Sequence, residues 1–283
     1  MSGPLAGVRV IDLTTVVMGP FATQILGDLG ADVIKVESPG GDSMRRVGPC
    51  RHEGMGPMYL QANRNKRSIV LDLKDATDKA KLLALVPRAD VLVYNIRPQA
   101  MRRLGLDYAS LAAINPGIIV CGAFGFGEGG PYAGRPAYDD ILQAAAGVSA
   151  LFARVEGPPR YAPINVCDRT VGMYLATTLC AALFHRAQTG RGQEIHVSLL
   201  QSALELLSDK VMREPVHDSI LRDPLMEEIH ATQDSGAPYD QVAAVRKAQA
   251  PRFASHRLFY GGYHTRQGAL VLGALTMQNR DTI

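Results

Sequence analysis

Short apolar runs alternate with amphipathic stretches of about ten residues through the first two-thirds of the chain. Val8–Leu13 (VRVIDL) reads as a strand, PFATQILGDLG after Gly19-Pro20 as a helix closing at Gly30, and Ala31–Glu37 (ADVIKVE) as a second strand. A strand, a crossover helix and another strand of these lengths make a βαβ unit, hence a parallel sheet. The pattern recurs. Ser68–Leu73 is strand-like, Ala76–Leu85 helical and Asp90–Tyr94 strand-like, with short helices at Gln99–Gly105 and Tyr108–Ile114 and a further strand at Gly117–Ala123. The fold class expected is α/β, with a doubly wound, mostly parallel sheet.

Pro163–Leu204 is the stretch around which the rest is arranged. A long apolar helix is expected at about Val171–Arg186 with Asp168 at its mouth, and TGRGQ (Thr189–Gln193) breaks it. Gly190 and Gly192 are expected to supply the positive φ that a helix C-terminus and a tight turn need. Glu194–Leu200 then begins with strand-like alternation. From Ser202 the character changes: Asp209–Gln249 is charged and irregular with a short helix at Tyr239–Gln249. Arg257–Tyr263 and Ala269–Leu275 read as a β-hairpin turning near Gly268.

Composition narrows the function classes. With 283 residues, 47% hydrophobic and 20% charged, the chain has the make-up of a soluble globular protein with a sizeable core. A formal charge of +3 and the absence of Trp argue against a nucleic-acid partner, while leaving room for a polyanionic small molecule. The N-terminus lacks the basic start and apolar core of a signal peptide, and the longest apolar run is too short to span a bilayer. A cytoplasmic protein without a membrane partner is expected. Cys50, Cys121, Cys167 and Cys180 have neither CxxC nor Cys/His ligand spacing, so no metal site is expected and all four read as buried, reduced thiols. Cys167, beside Asp168, is a possible nucleophile, with packing the more economical reading. Lys35 and Lys74 read as surface charges.

Phe124–Pro131 (FGFGEGGP) formally matches G-x-G-x-x-G through Gly125, Gly127 and Gly130. Pro131 and Gly134 follow at once, so no helix N-terminus is offered to a pyrophosphate, and a dinucleotide site is rejected. On residue type alone Asp168 is a helix cap, because Asp is a preferred cap and complements the helix dipole.

Five segments in order give the chain a resemblance. LAGVRVIDLTTVVMGPFATQILGDLGADVIKVE, NRNKRSIVLDLK, YNIRPQAMRRLGL, FGFGEGGPYAGRPAYDDILQAAAG and CDRTVGMYLATTLCAALFHRAQTGRGQ together are similar to class III CoA-transferases, the group that includes formyl-CoA transferase, carnitine CoA-transferase and α-methylacyl-CoA racemase. The match runs to about Leu204, with an echo at Tyr263–Asp281. It implies a Rossmann-like large domain over residues 1–204, a charged helical linker over 205–250 and the start of a small α+β domain over 251–283.

The resemblance implies exchange of CoA between an acyl-CoA thioester and a free carboxylic acid, with coenzyme A as substrate and no tightly bound cofactor. Its nucleophile falls on Asp168, which attacks the donor thioester to give a mixed anhydride. The released thiolate attacks the anhydride, leaving an aspartyl-CoA thioester that the acceptor carboxylate then resolves. Such chemistry divides one difficult exchange into near-balanced steps. It needs Asp168 ionised, and a helix N-terminus is expected to hold its pKa down. Backbone N–H groups of glycine-rich turns are the expected oxyanion donors, and Gly125 and Gly127 are expected in the CoA-binding site. Arg103 and Arg97 match CoA-binding arginines suited to phosphates, the alternative being a solvated helix face. Val16 and Val17 lie where the family packs the pantetheine and acyl end, and Asp139 belongs to the same CoA site.

Departures from the family pattern tune these expectations. Val17 stands where formyl-CoA transferase has a glutamine, which argues for a more apolar acyl group, and Ser38 stands where that enzyme has an arginine. The racemase branch moves its α-proton with a His-Asp pair. Here the place reads Tyr138-Asp139, and a tyrosine is a poor base near neutral pH. Tyr138 therefore reads as an active-site hydrogen-bond donor or as a half-buried packing residue. Family members continue well beyond Ile283 and interlock as dimers. An interlocked homodimer, or association with a longer homologous subunit, is expected. Three readings stand: a CoA-transferase, a truncated non-catalytic or partner-dependent CoA-binding subunit, and an α-methylacyl-CoA racemase or epimerase.

Overall fold

The computed structural model describes residues 3–152, 159–248 and 260–273. Two compact units divide the chain, Met1–Val211 and Met212–Ile283.

The first unit is a parallel sheet wrapped on both faces. In chain order it runs β1 (Arg9–Leu13), α1 (Met18–Asp28), β2 (Asp32–Glu37), α2 (Pro57–Ala62), β3 (Lys66–Val70), α3 (Ala76–Leu85), β4 (Val91–Tyr94), α4 (Pro98–Leu104), α5 (Tyr108–Ile114) and β5 (Ile119–Phe124). Then follow α6 (Asp139–Ala146), α7 (Val148–Phe152), α8 (Val166–Thr189), β6 (Gln193–Ser198), α9 (Leu199–Glu205) and α10 (Ser208–Val211). The strand order is β3-β2-β1-β4-β5-β6, and every neighbouring pair is parallel. The expected doubly wound sheet is thus present and wholly parallel. Its order reverses at β1, and the crevice outside the carboxyl ends of β1 and β4 is where open α/β sheets hold ligands.

Period-two alternation along the strands divides the core. Val10, Val33, Val91, Val93 and Cys121 pack under α1 and α8, against Leu26, Leu175 and Leu179. Ile11, Leu13, Leu92 and Val120 face the other way, onto Leu82 of α3, Met101 of α4 and Leu111 of α5. Truncating a buried leucine such as Leu175 to alanine costs about 2–5 kcal/mol in cores of this kind. A third cluster joins Phe126, Leu142, Cys167, Val171 and Leu199, fastening α6 and α9 to the start of α8.

Several local expectations need correction. Lys35 is fully buried rather than a surface charge: its ammonium meets Asp42 at 3.0 Å and donates to the carbonyl of Thr14 at 2.8 Å. Lys74 is exposed as expected, but Cys50 is exposed as well and Cys180 is only partly buried. Gly190 ends α8 in the left-handed region at φ 73°, whereas Gly192 does not use positive φ. Its lack of a side chain serves close approach, since a Cβ there would lie 2.0 Å from the carbonyl oxygen of Ile118.

The second unit contains α11 (Pro215–His217), a π-helical turn at Asp218–Arg222, α12 (Asp223–Asp234), α13 (Tyr239–Ala248) and the antiparallel pair β7 (Tyr260–Thr265) and β8 (Gly268–Gly273). The irregular stretch expected before α13 is largely helical. Pro224 at the first turn of α12 and Arg213, which pairs with Asp218 and Asp223, organise it although no residue of α12 is fully buried. The hairpin is present with Gly268 beside its turn, and the flanking residues 257–259 and 274–275 of the expected strands lie outside the described residues.

Candidate active site

A cavity of about 390 Å³ opens at the carboxyl edge of the sheet. The loop after β1 supplies Val16 and Val17, the segment after β2 supplies Met44 and Val47, and the start of α6 supplies Tyr138 and Asp139. Tyr161 to Asn165 and the first turn of α8, with Asp168, close the far side. Of the candidates from the sequence, Val16, Val17, Tyr138, Asp139 and Asp168 are brought together here.

Asp168 is buried, 7% exposed. The helix that holds it begins at Val166, five residues earlier than expected, with Asn165 at its N-cap. Asp168 therefore sits in the first turn and does not cap it. Its own backbone N–H, one of the unpaired donors that every helix start leaves, donates to Asp139 Oδ2 at 2.8 Å. Asp139 is itself buried, and its other oxygen accepts from Gln143 Nε2 at 2.6 Å. Gln143 also takes the N–H of Ala162 on its Oε1 at 2.8 Å and donates at 3.3 Å to the carbonyl of Ile164. One glutamine thus pins a wall of the cavity to the carboxylate that holds the nucleophile candidate.

The electrostatics reverse one expectation. Burial, and next the charge of Asp139, push the Asp168 carboxyl up to about 6, against smaller opposing effects from Asn165 and Arg169. The helix terminus does not hold its pKa down, because the N–H groups there are partly spent on Asp139 and the desolvation is larger. Cys167 is fully buried beneath the same turn, and burial with the two aspartates pushes its thiol up to about 12. That leaves it as packing in the third core cluster.

Val16 has φ 74°, a left-handed conformation that is costly for a β-branched residue. Its loop is pinned residue by residue. The carbonyl of Thr14 accepts from Lys35, Thr15 exchanges two hydrogen bonds with the side chain of Asn95 (3.1 and 2.8 Å), and the N–H of Val16 donates to Asp42 at 3.3 Å. Asp42 in turn hangs on Glu37, which also binds Arg45, Tyr59 and Ser68. Backbone strain of this kind persists only where its surroundings over-determine it, and it concentrates at functional sites.

The remaining candidates lie elsewhere. Gly125 does not line the cavity. A Cβ there would sit 1.9 Å from that of Ala137, and its carbonyl accepts the N–H of Leu200. Gly127 is on an open loop that also stays outside the cavity. The first turn of α1, which follows Val16 and Val17 directly, has no side-chain cap. Arg97 and Arg103 are exposed on the helix after β4, at the carboxyl edge but away from the cavity. The Arg97 side chain has no hydrogen bond or ion pair among the described residues, and that of Arg103 donates to the carbonyl of Gln99 at 3.3 Å. Asn95, Asp42, Lys35 and Gln143 were missed in the sequence, since each acts through a partner 19 to 80 positions distant. Among the described residues there is no cluster of three or more His, Cys, Asp or Glu suited to a metal ion, and no helix is long and apolar enough to cross a membrane.

Acetyl-CoA:oxalate CoA-transferase of Acetobacter aceti is 45% identical over 213 residues, covering 74% of this chain and 54% of its own length. The human succinyl-CoA:glutarate CoA-transferase is 39% identical over 206 residues, covering 72% and 47%. A crystal structure of a CAIB/BAIF family protein from Brucella suis superposes with a TM-score of 0.72 at 38% identity, covering 75% of this chain and 57% of that one. The chain spans about half the length of the curated relatives it matches. The model of CoA-transferase family III matches residues 5–250, and the chain belongs to that family.

Proposed function

We propose that this protein exchanges coenzyme A between an acyl-CoA thioester and a free carboxylic acid, with Asp168 as nucleophile. The observation that supports it most is a buried carboxylate in the wall of an apolar cavity, at the carboxyl edge of the sheet. Ionised near neutral pH yet stripped of water, Asp168 attacks the thioester carbonyl and expels the CoA thiolate, forming an acyl-aspartyl anhydride. The thiolate then attacks the aspartyl carbonyl and releases the donor acid. The acceptor carboxylate attacks the aspartyl thioester, and the thiolate finally attacks the acceptor's carbonyl in the second anhydride, regenerating Asp168. Oxygen charge on each tetrahedral intermediate is met by the uncapped N–H groups at the start of α1. Tyr138, at the N-cap of α6, offers its hydroxyl to the acyl carbonyl. The phosphates of CoA fall to Arg97 and Arg103, near the crevice between β1 and β4.

Relatives from Chloroflexus aurantiacus are named as α and β subunits of a succinyl-CoA–L-malate CoA-transferase. For the present chain we propose an interlocked homodimer or association with a longer homologous subunit. Intact-mass spectrometry after incubation with acyl-CoA tests the chemistry. A CoA-sized adduct, removed by hydroxylamine and absent in Asp168→Asn, is the expected result. A folded protein that gives no adduct with any donor overturns the assignment. Exchange of the α-proton into deuterated water without an adduct would turn the reading towards a racemase.

A further inference from the structure

From the walls of the cavity we infer the class of acyl group it accepts: apolar and uncharged beyond the thioester carbonyl, as in a short branched-chain acyl-CoA, and not a dicarboxylate half-ester of CoA. The inference rests on the proposed Asp168 chemistry only to locate the acyl group. It departs from the dicarboxylates for which the relatives above are named.

Apolar side chains stand on both sides of the wall, with Tyr138, Gln143, Tyr161 and Asn165 as its uncharged polar groups. Val16, Val17, Met44 and Val47 face the group from the loops after β1 and β2, and Pro163 and Ile164 face it from the segment before α8. The charges that remain are all of one sign. Asp139, Asp140 and Asp168 line the cavity, and among the described residues no Lys, Arg or His does. Of the arginines next in sequence, Arg160 beside Tyr161 is exposed and is not among the lining residues, and three others are committed elsewhere. Arg45 forks onto Glu37 at 2.7 Å and lies over the ring of Tyr59, Arg46 donates to the carbonyl of Gly40, and Arg169 donates to Gln61 and lies over Phe21. A second carboxylate on the substrate would enter a low-dielectric space already holding like charges and, among the described lining residues, find no cation to pair with, a costly placement. Methyl groups in the same position would meet valine and methionine side chains, where each fitted methylene is worth roughly tenfold in discrimination.

The test uses the whole chain and thioether analogues of isovaleryl-CoA and succinyl-CoA, which carry the acyl chain without a carbonyl to attack. Calorimetric titration is expected to give at least about tenfold tighter binding of the isovaleryl analogue. Val47, half-exposed in the wall, provides the control: Val47→Arg supplies the missing cation and is expected to tighten the succinyl analogue at least threefold while leaving the isovaleryl analogue within twofold. Equal or tighter binding of the succinyl analogue to the wild type overturns the inference, as does failure to bind either. Adduct formation at Asp168, read separately by mass, keeps the two ideas apart. Apolar selectivity without an adduct retires the Asp168 chemistry alone, and an adduct formed as fast from succinyl-CoA as from isovaleryl-CoA retires the selectivity alone.

Discussion

Asp168 holds its proton more tightly in the folded chain than an exposed aspartate would, and that difference acts on stability as well as reactivity. A carboxyl raised from 3.8 to about 6 favours the folded state fully below pH 3.8, and that contribution is lost as pH rises through 6. Asp168→Asn is therefore expected to stabilise the protein at pH 8, by up to about 3 kcal/mol, and to change little at pH 4. Urea midpoints at the two pH values check this, and equal effects at both would contradict the assigned cause. Asp139→Asn removes the neighbouring charge while keeping an acceptor for the N–H of Asp168. The acid limb of adduct formation should then move to lower pH, and an unmoved limb would exclude Asp139 as a cause. The position of Asp168 was legible in the sequence because the motif around it is contiguous. Its proton affinity was not, because Asp139 lies 29 residues away and the burial is tertiary.

At the scale of elements, apolar periodicity located the six strands and the long helix to within a few residues, and what it missed has a common cause. Lys35 was read as exposed since lysine in a strand usually is. Only the return of the chain at Asp42 makes burial tolerable, and no local signal marks that pairing. Lys35→Met would leave Asp42 charged and unpaired in the interior, a loss of about 3–5 kcal/mol, with partial recovery when Asp42→Asn is added. A thermal denaturation series over the two single variants and the double tests this, and strict additivity would mean that the pair is not coupled. Val16 adopts a backbone conformation suited to glycine. Val16→Gly should be neutral or stabilising by up to about 1 kcal/mol despite the lost methyls, since the strain costs about 1–2 kcal/mol. Destabilisation beyond that range would mean that its packing outweighs the strain.

For the whole molecule, the succession of βαβ units carried the doubly wound architecture, but sequence pattern could not tell which helix face is left without cover. Met173 and Phe184 on α8 are 51% and 66% exposed, with Tyr174 beside them. Apolar surface of this kind on a long helix marks an association site. The chain is expected to self-associate at micromolar concentration, and Met173→Lys combined with Phe184→Lys to return it to a monomer. Sedimentation velocity decides, and a wild type that stays monomeric would contradict it. The paired hydrogen bonds between Thr15 and Asn95 bear on how such a protein diversifies. They bolt together the two halves of the sheet where its winding reverses, so the floor of the crevice is a fixed datum and the rim around it is interchangeable. New substrate preferences should therefore be obtained by exchanging residues 43–58 or 159–165 as cassettes, while any graft that replaces residues 14–17 alone, leaving Asn95 and Asp42 cut for the old loop, is expected to dismantle the site.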